Sequence, residues 1–143
     1  MVRLSRHLLL ILAAAALIAG CGGSDSTDST AEDSSGTEAF DKATLPDQIE
    51  VDAGGSFEIS LDANNTTPYH WVFTTKPDPK ILSFESRDYE TDPGSEGLTG
   101  AGGTETFKFE GVAAGTTEIG LAYEDLSGDG PTTDKVEAKV TVR

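Results

Sequence analysis

The sequence predicts an all-β domain over residues 45–143, folded as an antiparallel β-sandwich of about seven strands. Two observations favour this class. No stretch of the domain shows a sustained apolar period of 3.6 residues, which is what a packed amphipathic helix requires. Short runs of alternating apolar and polar residues recur instead, each bounded by Gly, Pro, Asn or Asp. The domain is long enough to bury one core.

The predicted strands follow in order along the chain. They are residues 49–51, 57–61, 69–73, 81–86, 104–110, 117–124 and 135–142. Side chains alternate between the two faces of a strand, so the apolar members of each run share one face. The residues expected to face inward are Phe57, Ile59, Leu61, Tyr69, Trp71, Phe73, Phe107, Phe109, Ile119, Leu121, Tyr123, Val136, Ala138, Val140 and Val142.

The connections between these strands differ in length. Short Gly-containing turns are expected near 53–55 and 114–116. In residues 74–80, two prolines cannot donate hydrogen bonds to a ladder and mark another connection. The long connections are 62–68, 87–103 and 125–134, and alternate connections of an antiparallel sandwich share an end. The three long loops are therefore predicted to lie together, as a candidate binding edge.

The N-terminus has the pattern of an export signal. Residues 1–20 combine a basic start with an apolar run at 8–19, which is too short to span a bilayer. The run ends in Ile-Ala-Gly before Cys21, which resembles a bacterial lipobox and predicts lipidation of this Cys. The alternative is an ordinary secretory signal. Lipidation predicts a protein held on the extracytoplasmic side of a bacterial cell membrane.

Residues 21–44 are predicted to be a tether. They contain the lipidated Cys followed by an acidic segment rich in Gly, Ser and Thr, with little apolar surface to bury. Such a segment is expected to be flexible and to lift the following domain from the membrane.

Charge and composition exclude several functions. The chain has a formal net charge of −15, which becomes about −17 once a signal segment containing Arg3 and Arg6 is removed. No basic stripe is present, which argues against nucleic-acid binding. With Cys21 used for the lipid, no Ser/His/Asp set, thiol nucleophile or metal cluster is evident, so neither an enzyme nor a cofactor is expected. The protein is expected to be monomeric.

Two of the long loops carry motifs that resemble those of the chagasin-like cysteine protease inhibitors. Asn64-x-Thr66-Thr67-x-Tyr69-x-Trp71 is similar to the family's N-P-T-T-G-Y/F-x-W loop. Residues 97–103, Gly-x-x-Gly-x-Gly-Gly, are similar to its G-x-x-G-x-G-G loop and precede an aromatic strand in the same way. The resemblance spans residues 47–143.

The resemblance implies an immunoglobulin-like sandwich that presses three loops into the cleft of a papain-like cysteine protease. The implied contact residues are Asn64, Asn65, Thr66, Thr67, Pro68 and Tyr69; Gly97, Leu98, Thr99, Gly100, Ala101, Gly102 and Gly103; and Glu124, Asp125 and Leu126. Three departures stand out. Asn65 replaces the family's Pro, Pro68 replaces its Gly, and Glu124-Asp125-Leu126 stand where R-P-W is expected.

Two functions follow from these observations. The first is a surface-tethered inhibitor of papain-like proteases. The alternative, favoured by the missing R-P-W, is a non-inhibitory module that binds a protein or glycan with the same loop edge. Residues 125–130 also imitate the start of a calcium loop, but the twelfth position is Val136 rather than Glu, so a plain hairpin loop is preferred and no metal is expected.

Overall fold

A computed structural model describes residues 37–95 and 97–143 of the 143-residue chain. These residues contain eight β-strands. The strands are β1 (Glu38–Asp41), β2 (Gln48–Val51), β3 (Ser56–Ala63), β4 (Tyr69–Thr75), β5 (Leu82–Thr91), β6 (Gly103–Gly111), β7 (Gly115–Asp125) and β8 (Asp134–Val142). No helix of the described part is both long and apolar enough to cross a membrane. The predicted signal and Cys21 lie outside the described residues.

The strands form two four-stranded sheets, in the orders β1-β3-β6-β5 and β2-β8-β7-β4. This arrangement confirms the predicted all-β sandwich. Within each sheet the central pairs are antiparallel, and β5 pairs with β6 along almost its whole length. A β-bulge between Phe84 and Ser86 shifts the register of β5 by one residue, which turns the following side chains toward the opposite face.

The core lies between the two sheets and consists of the alternating residues that the sequence pattern places inward. Phe57, Phe107, Phe109 and Leu121 have no exposed surface, and Trp71 is 2% exposed. The rings of Phe57 and Phe109 stack across β3 and β6 with their centroids 5.3 Å apart. Burial of these large side chains contributes roughly 1.5–3 kcal/mol each and is the main source of stability for a chain without a disulfide in this domain.

The sandwich differs from the sequence prediction at its edges. Residues 38–41, which the sequence analysis assigned to the tether, form strand β1 and pair in parallel with β3. Strand β2 also pairs in parallel, with β8. The described residues therefore form eight strands where about seven were predicted, and the two short edge strands pair in parallel. Phe40 is the physical reason for β1, because its ring packs edge-on against Phe57 at 6.3 Å while the backbone pairs with the free edge of β3.

The domain boundary moves accordingly. Residues Asp33–Arg143 form one compact unit, and the whole described core lies within it. The turn after β1 is held by Asp41, whose carboxylate accepts hydrogen bonds from the backbone N–H of Ala43 and Thr44 and from the Thr44 hydroxyl. The strand and this turn are ordered features of the fold.

Three connections contain the predicted contact loops. They are named here the first loop (64–68, between β3 and β4), the second loop (92–102, between β5 and β6) and the third loop (126–133, between β7 and β8). The other connections among β2 to β8 are residues 52–55, 76–81 and 112–114. The sheet topology places the three named loops at one end of the sandwich and the other three connections at the opposite end, as the sequence predicted.

Candidate functional site

The first loop contacts both the second and the third loop, and the three together form a surface named here the rim. The Asn64 side-chain amide of the first loop donates to the carbonyl oxygen of Gly100 in the second loop, at 3.2 Å. On the other side, the backbone N–H of Leu126 in the third loop donates to the carbonyl oxygen of Pro68, at 3.0 Å. The first loop therefore lies in the middle, with the second and third loops on its two flanks.

The first loop is organised around the side chain of Asn64. Its Oδ1 accepts hydrogen bonds from the backbone N–H and the hydroxyl of Thr66, at 3.0 and 2.6 Å. The Thr67 hydroxyl donates to the carbonyl oxygen of Asn64 at 2.8 Å. The backbone N–H of Asn64 in turn donates to the hydroxyl oxygen of Tyr123 on β7, at 2.9 Å. These bonds hold a five-residue turn in one conformation, with Thr66 exposed at its tip.

The second loop is a series of three tight turns. Backbone hydrogen bonds join Ser95 to Asp92, Leu98 to Ser95 and Ala101 to Leu98. The third residue of each turn is a glycine with positive φ: Gly94 at 81°, Gly97 at 80° and Gly100 at 86°. A side chain would strain the backbone at these three positions. The three-residue spacing of glycines in the sequence is therefore the spacing of successive turns.

The third loop is shaped by Asp125. Its carboxylate accepts hydrogen bonds from the hydroxyl and the backbone N–H of Ser127, at 2.6 and 2.8 Å. These two bonds, the hydroxyl first, hold the pKa of Asp125 below its ordinary value. Gly128 follows with a φ of 86° and closes the turn with a hydrogen bond to the carbonyl oxygen of Asp125.

An aromatic layer supports the first and third loops from below. The rings of Tyr69 and Trp71 lie 5.7 and 5.2 Å from the ring of Tyr123. The indole N–H of Trp71 donates to the carbonyl oxygen of Asp62 at 3.0 Å, which satisfies the polar atom of a buried ring. Trp71 is therefore a core residue, as the sequence predicted, and Tyr69 is half-buried.

A partly buried ion pair joins the two strands that carry the second loop. Glu105 on β6 is 3% exposed and accepts a hydrogen bond from the guanidinium of Arg87 on β5. The same guanidinium lies over the ring of Phe107, with its central carbon 5.3 Å from the ring centroid. The second carboxylate oxygen of Glu105 has no hydrogen-bond partner among the described residues. The pair joins β5 to β6 beneath the glycine turns. Sequence reasoning missed it because Glu105 lies on the core-facing side of β6, where the alternating pattern predicts apolar residues.

The structure places every predicted contact residue in the rim or at a strand end beside it. Thr66, Pro68, Leu98 and Leu126 are exposed on the outer surface of the rim, whereas Gly103 is buried as the first residue of β6. A Cβ atom at Gly103 would lie 2.3 Å from a backbone carbonyl oxygen of β5, so this glycine allows close approach of the two strands. Contact between these residues and a protease stays a prediction.

The described residues contain no group of three or more His, Cys, Asp or Glu side chains placed to hold a metal ion. In the segment that imitates a calcium loop, the Asp125 carboxylate is occupied by Ser127 and shapes the hairpin.

Comparisons with known proteins place this domain in one family. The profile of the chagasin family of peptidase inhibitors, I42, matches residues 50–142. Chagasin from Trypanosoma cruzi is 39% identical over 89 residues, which cover 61% of this chain and 76% of that protein.

Solved structures agree at the level of the fold. The cysteine protease inhibitor EhICP2 from Entamoeba histolytica superposes with a TM-score of 0.64 and 18% identity, over 75% of this chain and 96% of that one. The solution structure of Amebosin superposes with a TM-score of 0.59 and 26% identity, over 76% and 99% of the two chains. A third match, PbICP-C in complex with falcipain-2, has a TM-score of 0.52 and 16% identity, over 74% and 99%. The chain is a member of the chagasin family of cysteine protease inhibitors.

Proposed function

We propose that this protein inhibits papain-like cysteine proteases by inserting the rim into the active-site cleft. The observation that carries the proposal is the pair of hydrogen bonds that joins the first loop to the second and third loops, Asn64 to Gly100 and Leu126 to Pro68. These bonds make three separate loops into one preorganised wedge, which loses little conformational entropy on docking.

The first loop occupies the catalytic centre in this proposal. A papain-like protease presents a thiolate beside a protonated imidazole in a narrow groove. Thr66 at the exposed tip of the first loop offers a small hydroxyl to that groove. The side chain of Asn64 holds the tip from inside the turn. A loop held in this way presents no extended peptide to the nucleophile, so it blocks the centre without being cleaved.

The second and third loops cover the two walls of the cleft. The glycine turns of the second loop let its backbone approach the protease backbone closely. Leu98 and Leu126 are 63% and 61% exposed on the two flanks, where each can bury an apolar side chain on docking.

The protein is proposed to act while held on the outer face of a bacterial cell membrane by a lipid on Cys21. The support from the fold is the direction in which the chain enters the sandwich. Strand β1 runs parallel to β3, so its start lies beside Ser56, at the end of β3 remote from the first loop. The hydroxyls of Thr37 and Ser56 are 3.1 Å apart. The described chain therefore enters the sandwich at the end opposite the rim, about the length of β3, roughly 25 Å, from it.

The test is an activity titration of papain and related cysteine proteases with residues 33–143, the compact unit of the fold. We expect inhibition that is lost in Thr66→Trp, because an indole cannot enter the groove at the tip of the first loop. The matched control is Thr116→Trp, the same exchange at an exposed residue at the opposite end. Absence of inhibition of several such proteases at micromolar concentration would instead favour a non-inhibitory binding module that uses the same rim.

Lipidation is tested separately in bacterial cells that express the full chain. We expect the protein in the membrane fraction, and Cys21→Ser should abolish incorporation of labelled fatty acid. An unlabelled, secreted wild-type protein would rule out the lipid anchor and leave the inhibitory proposal unaffected.

A further inference from the structure

The two flanking loops of the rim are acidic and contain no basic residue. Neither residues 92–103 nor residues 124–134 contain a Lys or Arg. The acids in these two segments are Asp92, Glu96, Glu124, Asp125, Asp129 and Asp134. The second loop itself has a formal charge of −2 and the third loop −1, and the first loop, residues 64–68, is uncharged. Glu124, Asp125 and Asp134 lie at the ends of β7 and β8 beside the third loop.

This acidity is not an even property of the surface, although the chain as a whole is acidic. The three connections at the opposite end, residues 52–55, 76–81 and 112–114, contain Asp52, Asp78, Lys76 and Lys80, so their formal charges cancel. Arg143 and Glu50 at the same end form an ion pair at 3.2 Å, which adds no net charge. The charge is therefore polarised along the sandwich, and the negative end is the rim.

Most of the rim carboxylates have no cationic partner. Asp134 pairs with Lys42 after β1. Within the described parts of the chain, the ion pairs do not include Asp92, Glu124, Asp125 or Asp129. Asp92 and Asp129 are exposed to solvent, and Glu124 and Asp125 are half-buried. Covering these carboxylates with a neutral or acidic wall would leave charges without compensation, which opposes binding strongly.

The acids stand beside the apolar contacts of the same loops. Leu98 lies in the second loop, and Leu126 directly follows Glu124 and Asp125. Docking that buries these leucines must bring the neighbouring carboxylates to the edge of the contact. A partner that supplies cations at that edge gains both the apolar contact and the charge pairing.

We infer that the rim selects papain-like proteases whose active-site cleft is bordered by Lys or Arg side chains and disfavours those whose cleft border is acidic. The inference rests on the proposed function and deepens it by naming the class of target. Leu98 and Leu126 supply apolar contact, and the rim carboxylates supply long-range attraction and discrimination between targets.

The experiment measures association rates with papain-like proteases of solved structure, grouped by the sign of the charges that border the cleft. The rim variant is Asp92→Asn/Glu124→Gln/Asp129→Asn, which leaves the loop-shaping Asp125 intact. The control is Glu85→Gln/Glu110→Gln/Glu118→Gln, which removes the same number of exposed acids from strands away from the rim.

For a target with a basic cleft border, we expect the rim variant to associate about tenfold more slowly than wild type at low salt, because electrostatic steering is lost. The control variant should change the rate less than twofold. In 1 M NaCl, where the Debye length falls to about 3 Å, wild type and rim variant should converge. Proteases with acidic borders should be inhibited more weakly by wild type and better by the rim variant.

The outcomes separate this inference from the function on which it rests. Inhibition of proteases with equal rates for the rim and control variants would overturn the inference and leave the inhibitory function standing. Stronger inhibition of proteases with an acidic cleft border would also overturn the inference and leave the inhibitory function standing. Failure of wild type to inhibit any papain-like protease would overturn both.

Discussion

The hydroxyl of Tyr123 provides a direct test of how the sandwich holds the first loop. Tyr123 lies on β7, and its hydroxyl oxygen accepts a hydrogen bond from the backbone N–H of Asn64 at 2.9 Å. The substitution Tyr123→Phe removes this acceptor and keeps the ring, which packs against Trp71 with centroids 5.2 Å apart. It therefore isolates one hydrogen bond between the core and the rim.

The expected loss of stability depends on the backbone N–H of Asn64, which has no acceptor once the Tyr123 hydroxyl is removed. Asn64 is half-buried, so its unpaired N–H is only partly accessible to water. A net hydrogen bond contributes about 0.5–1.5 kcal/mol, and an orphaned buried donor adds to the loss. We expect a decrease of about 1–2 kcal/mol in the free energy of unfolding, which corresponds to a fall in Tm of about 5–10 °C for a domain of this size.

The assay combines urea unfolding of residues 33–143 with inhibition of a papain-like protease. We expect the inhibition constant of Tyr123→Phe to rise by up to about tenfold, since a less constrained first loop must be ordered on docking. The matched control for the unfolding measurement is Tyr69→Phe, because the Tyr69 hydroxyl forms no hydrogen bond with the described residues. Equal stability and equal inhibition for wild type and Tyr123→Phe would refute the reasoning.

The same structure gives four further predictions. Gly103→Ala should destabilise the fold by about 1–3 kcal/mol in urea unfolding, because its Cβ would meet a carbonyl oxygen of β5 at 2.3 Å; an exchange that leaves stability unchanged would contradict this. Gly100→Ala, where φ is 86° and no atom lies within 4 Å, should cost only about 1 kcal/mol, and its effect should be larger on inhibition than on stability. Phe40→Ala should release β1, which hydrogen exchange would detect as lost protection in residues 38–41 with β6 unaffected; unchanged protection would show that the ring is dispensable. Because Ser127 lowers the pKa of folded Asp125, the stabilisation from this carboxylate is complete above its unfolded pKa and is lost as pH falls through the lowered value, and Ser127→Ala should move the NMR-measured pKa of Asp125 upward.

The sequence by itself determined most of the fold. Alternation of apolar and polar residues defines seven strands because a strand with one buried face has a period of two. The glycine spacing of residues 94–100 determined the turns of the second loop, since only glycine adopts positive φ there without strain. Alternate connections share an end of such a sandwich, so the meeting of the three loops could also be inferred. These are local or topological properties, and each is readable from a short stretch of chain.

The tertiary structure alone decided the features that depend on distant partners. Residues 38–41 look like tether because their single large apolar side chain becomes buried only against Phe57 at the open edge of β3. Glu105 is buried because the bulge in β5 brings Arg87 to the same face. The hydroxyl of Tyr123 acts on Asn64, 59 positions earlier in the chain. Each of these interactions joins residues far apart in sequence, and no local pattern encodes which pair will meet once two sheets have packed together.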